Sequence, residues 1–107
     1  MSKSSVKQNP QMADHAAEAA AFMKQLANRN RLMILCALGE AELSVGELNE
    51  CVDLSQSALS QHLAALREAG LVLTRRESQV IYYRLAHDGP LQVIEVLQSL
   101  FCPENRS

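Results

Sequence analysis

The stretch that most constrains this chain is "ELSVGELNECVDLSQSALSQHLAALREAG", residues 42 to 70, because it marks its own boundaries. Ser44-Val45-Gly46-Glu47 has the spacing of a capping box, in which a serine oxygen and a glutamate carboxylate satisfy each other's free amides. It predicts a helix of about two turns with Leu48 and Val52 facing inward. After Asp53-Leu54, Ser55 is a second N-cap and opens a helix on which Leu59, Leu63 and Leu66 form one apolar stripe. Gly70 then supplies the stop. Two short capped helices separated by a three-residue turn are the pattern of a helix-turn-helix.

The flanks supply what such a unit needs for a core. "QMADHAAEAAAFMKQLANR" sets Met12, Ala16, Ala19, Met23 and Leu26 at helical spacing, and its alanines make a slender helix that a neighbour can approach closely. "RNRLMILCALGE" is apolar on nearly every side from Leu32 to Leu38, which predicts a short helix buried all round, ended by Gly39. Past Gly70 the period changes to two. In "LVLTRRESQVIYYRLA" Val72, Thr74 and Arg76 alternate with Leu71, Leu73 and Arg75, and Val80, Tyr82 and Arg84 alternate with Ile81, Tyr83 and Leu85. These runs predict a β-hairpin joined through Glu77-Ser78-Gln79, a turn without the usual Gly or Asn.

Asp88-Gly89-Pro90 breaks the chain and starts a last helix, "PLQVIEVLQSLFC", with proline suited to the first helical position. Leu91, Ile94, Leu97 and Phe101 line one side, and Val93, Val96 and Leu100 lie beside them. That surface exceeds what one small core can cover, so the first and last helices are expected to form a dimer interface. The expected fold is mainly α with a β-hairpin, in the order helix, helix, helix-turn-helix, hairpin, helix: a winged helix-turn-helix. Residues 1–10 read as a flexible N-terminal arm, 11–102 as the DNA-binding and dimerisation domain, and 103–107 as a C-terminal tail.

At 107 residues, 48% hydrophobic with no Trp, two Tyr and two Phe, the chain suits one domain with a core of Leu, Ala, Val, Ile and Met. The polar start "MSKSSVKQNPQ" lacks the apolar core of a secretory signal, and no run reaches membrane-spanning length, so a cytoplasmic protein without a membrane partner is expected. A net charge of −2 argues against a general polyanion binder. Locally the balance reverses, since Arg67, Arg75, Arg76 and Arg84 outnumber Glu68 and Glu77 between Ser55 and Ala86.

With the leucine stripe turned to the core, Gln56, Ser57, Ser60 and Gln61 occupy the outside of the first turns after Ser55. They are short or carry amides, suited to base edges, and Gln can pair with adenine in bidentate fashion. Unpaired amides at that helix end suit phosphate. His62, at the stripe's edge, either donates to phosphate or fills a half-buried position. Arg67 reads as a backbone contact. Arg75, Arg76 and Gln79 surround the hairpin tip, where they suit the DNA backbone or minor groove, with an Arg–Glu77 surface pair as the alternative. The partner these residues suit is double-stranded DNA.

Three cysteines, at 36, 51 and 102, form neither a dense disulfide framework nor a CxxC zinc pattern. In a reducing compartment any pair among them is a switch sooner than a staple. Within "LMILCAL", Cys36 reads on its own as a small buried hydrophobe. Cys102, in "SLFCPE", precedes Pro103, which disfavours helical geometry and places this thiol at a loosened, accessible end. Cys51 has no evident partner and reads as structural. Neither an apolar setting nor a helix C-terminus favours thiolate.

"ELSVGELNECVDLSQSALSQHLAALREAGLV" followed by "RRESQVIYYRL" resembles the ArsR/SmtB family of dimeric winged-helix repressors, over essentially residues 12 to 102. The resemblance implies a homodimer that binds a palindromic operator and releases it when an inducer binds. Many members sense metal through thiolates in "ELCVCDLC" or "ELCVGDL"; here Ser44, Gly46 and Asn49 stand where those cysteines would fall. A second type of site needs an Asp-x-His and later histidines, and this chain has Asp88-Gly89-Pro90 and no histidine after His87. No metal and no cofactor is therefore expected. Cys36 and Cys102 match the positions used by the family's thiol- and persulfide-sensing branch, the BigR, SqrR, YgaV and HlyU type. That match implies a disulfide or polysulfide switch answering reactive sulfur species or oxidants.

The expected function is thus a redox-responsive repressor. The alternatives are an antirepressor that displaces a silencing protein, and a winged-helix protein-interaction module with no DNA role. An enzyme is not expected, because the three histidines sit in separate segments and no nucleophile elbow, phosphate loop or HExxH is present.

Overall fold

A computed structural model describes residues 10–102; the expected N-terminal arm up to residue 9 and the tail 103–107 lie outside the described residues. The helices are α1 (Pro10–Leu26), α2 (Arg29–Leu38), α3 (Val45–Cys51), α4 (Gln56–Glu68) and α5 (Gly89–Phe101). The strands are β1 (Leu43–Ser44), β2 (Val72–Glu77) and β3 (Val80–Leu85). The order of elements is that of a winged helix-turn-helix, with α3 and α4 as the helix-turn-helix and β2–β3 as the wing.

The capping signals act as their chemistry requires. Ser44 Oγ accepts from the Glu47 N–H at 3.2 Å and the Glu47 carboxylate accepts from the Ser44 N–H at 2.9 Å, a complete capping box. Ser55 Oγ accepts from the Ala58 N–H at 3.1 Å and starts α4. Gly70 closes α4 at φ +80°, a left-handed conformation that glycine takes without a side-chain clash.

The core is one layer of aliphatic side chains: Ile34, Leu35 and Leu38 of α2, Leu48 and Val52 after the capping box, Leu59, Leu63 and Leu66 of α4, with Leu26, Leu71, Val72 and Ile94. The leucine stripe of α4 is fully buried. Fixing it inward sets Gln56, Ser57, Ser60 and Gln61 outward, since residues three and four apart share one helix face.

Four local expectations are corrected. Helix α2 begins at Arg29, where Asn28 Oδ1 accepts from the N–H groups of Asn30 and Arg31, and it is not buried all round: Met33 and Cys36 are exposed. A chain this short covers only the inner side of α2. A short strand, β1, joins the hairpin, with Leu43 opposite Tyr83 and Ser44 opposite Tyr82, giving an antiparallel sheet ordered β1-β3-β2. The wing turn is tighter than expected: Glu77 pairs with Val80, leaving Ser78 and Gln79 as a two-residue connection, and Ser78 takes φ +57° where glycine is usual. Helix α5 begins at Gly89, so Pro90 is its second residue and is buried.

Helices α1 and α5 keep apolar surface uncovered. Among the described residues of α1 only Leu26 is buried, and Met12 and Met23 are exposed. On α5, Val96, Leu100 and Phe101 are 58%, 67% and 75% exposed, while Pro90 and Ile94 face the core. No described helix is long and apolar enough to cross a membrane.

Candidate nucleic-acid interface and thiol pair

The amino half of α4 presents the exposed Gln56, Ser57, Ser60 and Gln61 as one polar surface next to the free amides of the helix start. Its orientation is braced from the turn, where the Asn49 side-chain amide donates to the Leu54 carbonyl at 2.8 Å. Asn49 thus holds together the turn before α4, at a position where metal-sensing relatives of the resemblance would carry a thiolate. Arg67 is exposed on the same helix.

In the wing the arginines differ. Arg75 is committed: its Nε and Nη2 donate to the Glu42 carboxylate at 2.8–3.1 Å, its Nη1 donates to Glu77 at 3.0 Å, and its guanidinium carbon lies 4.8 Å from the centre of the Tyr82 ring. The Arg75 hydrogen bond, then the charges of Arg75 and Arg84, hold the Glu42 carboxyl below the usual range. The Arg–Glu77 pair weighed as an alternative is present, and Glu42, distant in sequence, is the stronger partner. Arg76 and Gln79 are exposed and make no side-chain hydrogen bond or ion pair among the described residues, so they are the free polar groups of the wing tip.

His62 is half-buried, and its Nδ1 accepts from Arg31 Nε at 3.4 Å. Arg31 also donates to Gln25 Oε1 at 2.6 Å. Sequence reasoning passed over Arg31, whose place in the first turn of α2 carries no motif.

Cys36 and Cys102 line one cavity of about 300 Å³ between α2 and α5, with Leu32, Ile94, Leu97, Gln98 and Phe101 as its other walls. Both thiols are free. The accessibilities are the reverse of those expected: Cys36 is exposed and Cys102 is half-buried. Cys36 escapes burial because the outer side of α2 is uncovered, while Cys102 is drawn in as the C-cap of α5, its N–H donating to the Gln98 carbonyl at 2.8 Å. Desolvation by the apolar walls, and then repulsion from Cys102, push the Cys36 thiol pKa up. Cys51 is exposed at the end of α3, away from this cavity. Among the described residues no three His, Cys, Asp or Glu side chains converge as metal ligands would.

Residues 28–74, from the cap of α2 into the wing, match the model of the "Bacterial regulatory protein, arsR family". The chain is 49% identical over 96 residues to the transcriptional activator HlyU of Vibrio cholerae, an alignment covering 90% of this chain and 89% of that protein. The chain belongs to the arsR family of bacterial regulatory proteins. It is a transcription regulator, not an enzyme.

Solved structures of the family superpose on it closely. The transcriptional repressor BigR from Xylella fastidiosa matches with a TM-score of 0.84 at 41% identity, covering 89% of this chain and 97% of that one. A homodimeric winged helix-turn-helix DNA-binding domain from Mycobacterium bovis matches at 0.71 and 31% identity, covering 87% and 86%. HlyU and BigR are of the branch that the cysteine positions resemble. In this arsR-family chain the residues that motif reasoning missed, Arg31, Glu42 and Asn49, hold His62, Arg75 and the turn before α4 in place.

Proposed function

We propose that the chain is a cytoplasmic homodimeric repressor that holds a palindromic operator while its thiols are reduced and releases it when Cys36 and Cys102 are joined. In this reading Gln56, Ser57, Ser60 and Gln61 meet base edges, and His62, Arg67, Arg76 and Gln79 meet the backbone or minor groove. Arg75 is a weaker candidate for DNA contact than expected, because its donors are directed at Glu42 and Glu77. Dimerisation through α1 and α5 accounts for the apolar surface both leave open.

The observation that carries the switch is the shared cavity of the two thiols. One of its walls, α2, also packs against α4, so a bond made at Cys36 acts on the helix that supports the recognition helix. With a hydropersulfide, one thiolate takes the outer sulfur and expels the donor's thiolate. The second thiol then displaces hydrosulfide from the new protein persulfide, leaving a disulfide. Two protein thiols are oxidised and one sulfane sulfur is reduced to sulfide. Where a second hydropersulfide first adds its outer sulfur to the protein persulfide and leaves as its thiol, displacement of hydrosulfide by the second cysteine gives a trisulfide, a polysulfide link, instead. Hydrogen peroxide gives the same disulfide and two waters through a sulfenic acid. Two recognition helices must meet half-sites about 34 Å apart, so a small change of dimer angle lowers affinity. Release needs a coupling of about 3 kcal/mol, roughly 150-fold.

The test uses a duplex enriched from a random library by the reduced protein. Persulfide or peroxide should release the parent from it and leave Cys36→Ser and Cys102→Ser bound, and mass spectrometry should find the Cys36 and Cys102 peptides joined. Equal release of the serine variants overturns the switch and leaves DNA binding standing. Similarity to a protein named a transcriptional activator supports a second reading, an antirepressor on the same DNA surface. A promoter fusion in a deletion strain decides the sign, since expression rises when a repressor is lost and falls when an antirepressor is lost.

A further inference from the structure

The Arg31 guanidinium ties three helices together. Its Nη1 donates to Gln25 of α1 at 2.6 Å and its Nε donates to His62 of α4 at 3.4 Å, from a backbone held in place by the Asn28 cap. A guanidinium has no free acceptor site and does not give up its proton in proteins, so the hydrogen between Arg31 and His62 belongs to Arg31 and His62 Nδ1 is bare. A neutral imidazole that is bare at Nδ1 carries its hydrogen on Nε2. No described residue hydrogen-bonds that atom, and no partnerless side-chain nitrogen is sealed from solvent, so Nε2–H is open to an outside acceptor. His62 sits beside Gln61 on the helix whose exposed face is the candidate DNA surface.

We propose that Arg31 is a positioning residue for DNA binding: its bond to Nδ1 holds neutral His62 as an Nε2–H donor, and that donor hydrogen-bonds a phosphate of the operator. The proposal rests on the DNA-binding reading above. Without Arg31 the ring can place its hydrogen on either nitrogen, and the Nδ1–H form turns a lone pair instead of a donor toward the phosphate. The assignment gives a positive residue an indirect role, and this separates it from an ordinary Arg–phosphate contact. A neutral histidine releases no counterion, whereas an arginine on phosphate contributes about 0.9 to the slope of log affinity against log salt.

Nitrogen-15 NMR of the free protein reads the tautomer, and titration of the library-enriched duplex reads affinity. The parent should show His62 with its hydrogen on Nε2, and Arg31→Met should show a mixture of tautomers. Affinity in Arg31→Met should fall with the fraction of rings left as the Nε2–H form, about twofold per subunit for an even mixture. The salt slope should not change. His62→Ala, which removes the donor outright, should cost about tenfold per subunit, the scale of one hydrogen bond to a charged group, and the double variant no more than His62→Ala alone. Gln25→Ala, which removes only the α1 bond, should leave affinity intact. If Arg31→Met fails to fold, Arg31→Lys, which keeps one donor, should retain the Nε2–H form and much of the affinity.

A parent with its hydrogen on Nδ1, or an unchanged tautomer in Arg31→Met, overturns the proposal in the free protein. So do additive losses or a slope reduced by about 0.9 per subunit, which would make Arg31 itself the phosphate contact. A protein that enriches no duplex but shows the expected tautomers refutes the DNA-binding reading, and with it the phosphate contact, while the Arg31–His62 geometry stands.

Discussion

Cys36 combines two properties that usually exclude each other: it is exposed, yet its proton is held more tightly than that of an ordinary thiol. The apolar cavity walls disfavour the thiolate first, and the charge Cys102 would carry disfavours it second. The sign for stability follows. The folded chain binds this proton more strongly than the unfolded chain, so the stabilisation is complete below the unfolded value and is lost as pH rises through the raised folded value. The rate of Cys36 alkylation against pH, read by peptide mass, should have its midpoint above that of the unfolded chain. In Cys102→Ser the midpoint should move only part of the way back, because the larger cause, desolvation, remains. A return to the unfolded value would show that Cys102, not the apolar walls, is the main cause.

At the scale of elements, the recognition helix depends on its first residue more than its length suggests. Ser55 caps α4 at the point where the chain leaves the turn braced by Asn49, so Ser55→Ala should lower the free energy of unfolding by about 1 kcal/mol, read from the urea midpoint. A shift within error would mean that the Asn49 brace suffices by itself. Such elements were legible in the sequence because their causes are local: the Ser44 and Ser55 caps, the Leu59–Leu63–Leu66 stripe and the Gly70 stop each lie within a few residues of what they control. Strand β1 was not legible, since two residues carry no period and pair only because Tyr82 and Tyr83 come alongside. Arg31 with His62 and Glu42 with Arg75 join side chains about thirty residues apart, and no local pattern records such a meeting. Cys36 was misread as buried for a related reason, because an apolar run does not say whether its outer face is covered by the same chain or by another.

That outer face leads to the whole molecule. Val96, Leu100 and Phe101 of α5 are exposed, no polar or charged residue is buried among the described residues, and α1 adds Met12 and Met23. Covering these faces in a two-fold dimer sets the spacing of two α4 helices, and bivalent engagement raises affinity over one half-site by about 10²–10⁴. A glutamate at Leu100 buries an unpaired charge in such an interface while touching nothing in the subunit core, to which Pro90 and Ile94 are turned. Leu100→Glu should therefore sediment as a monomer, keep the helical content of the parent, and bind the palindromic duplex at least a hundredfold more weakly. It should also retain a link between Cys36 and Cys102 on oxidation, because both thiols belong to one subunit's cavity. A dimer that persists with unchanged affinity would place the subunit contact elsewhere. A monomer that no longer forms the link would mean that the cavity needs the partner subunit to bring its thiols together.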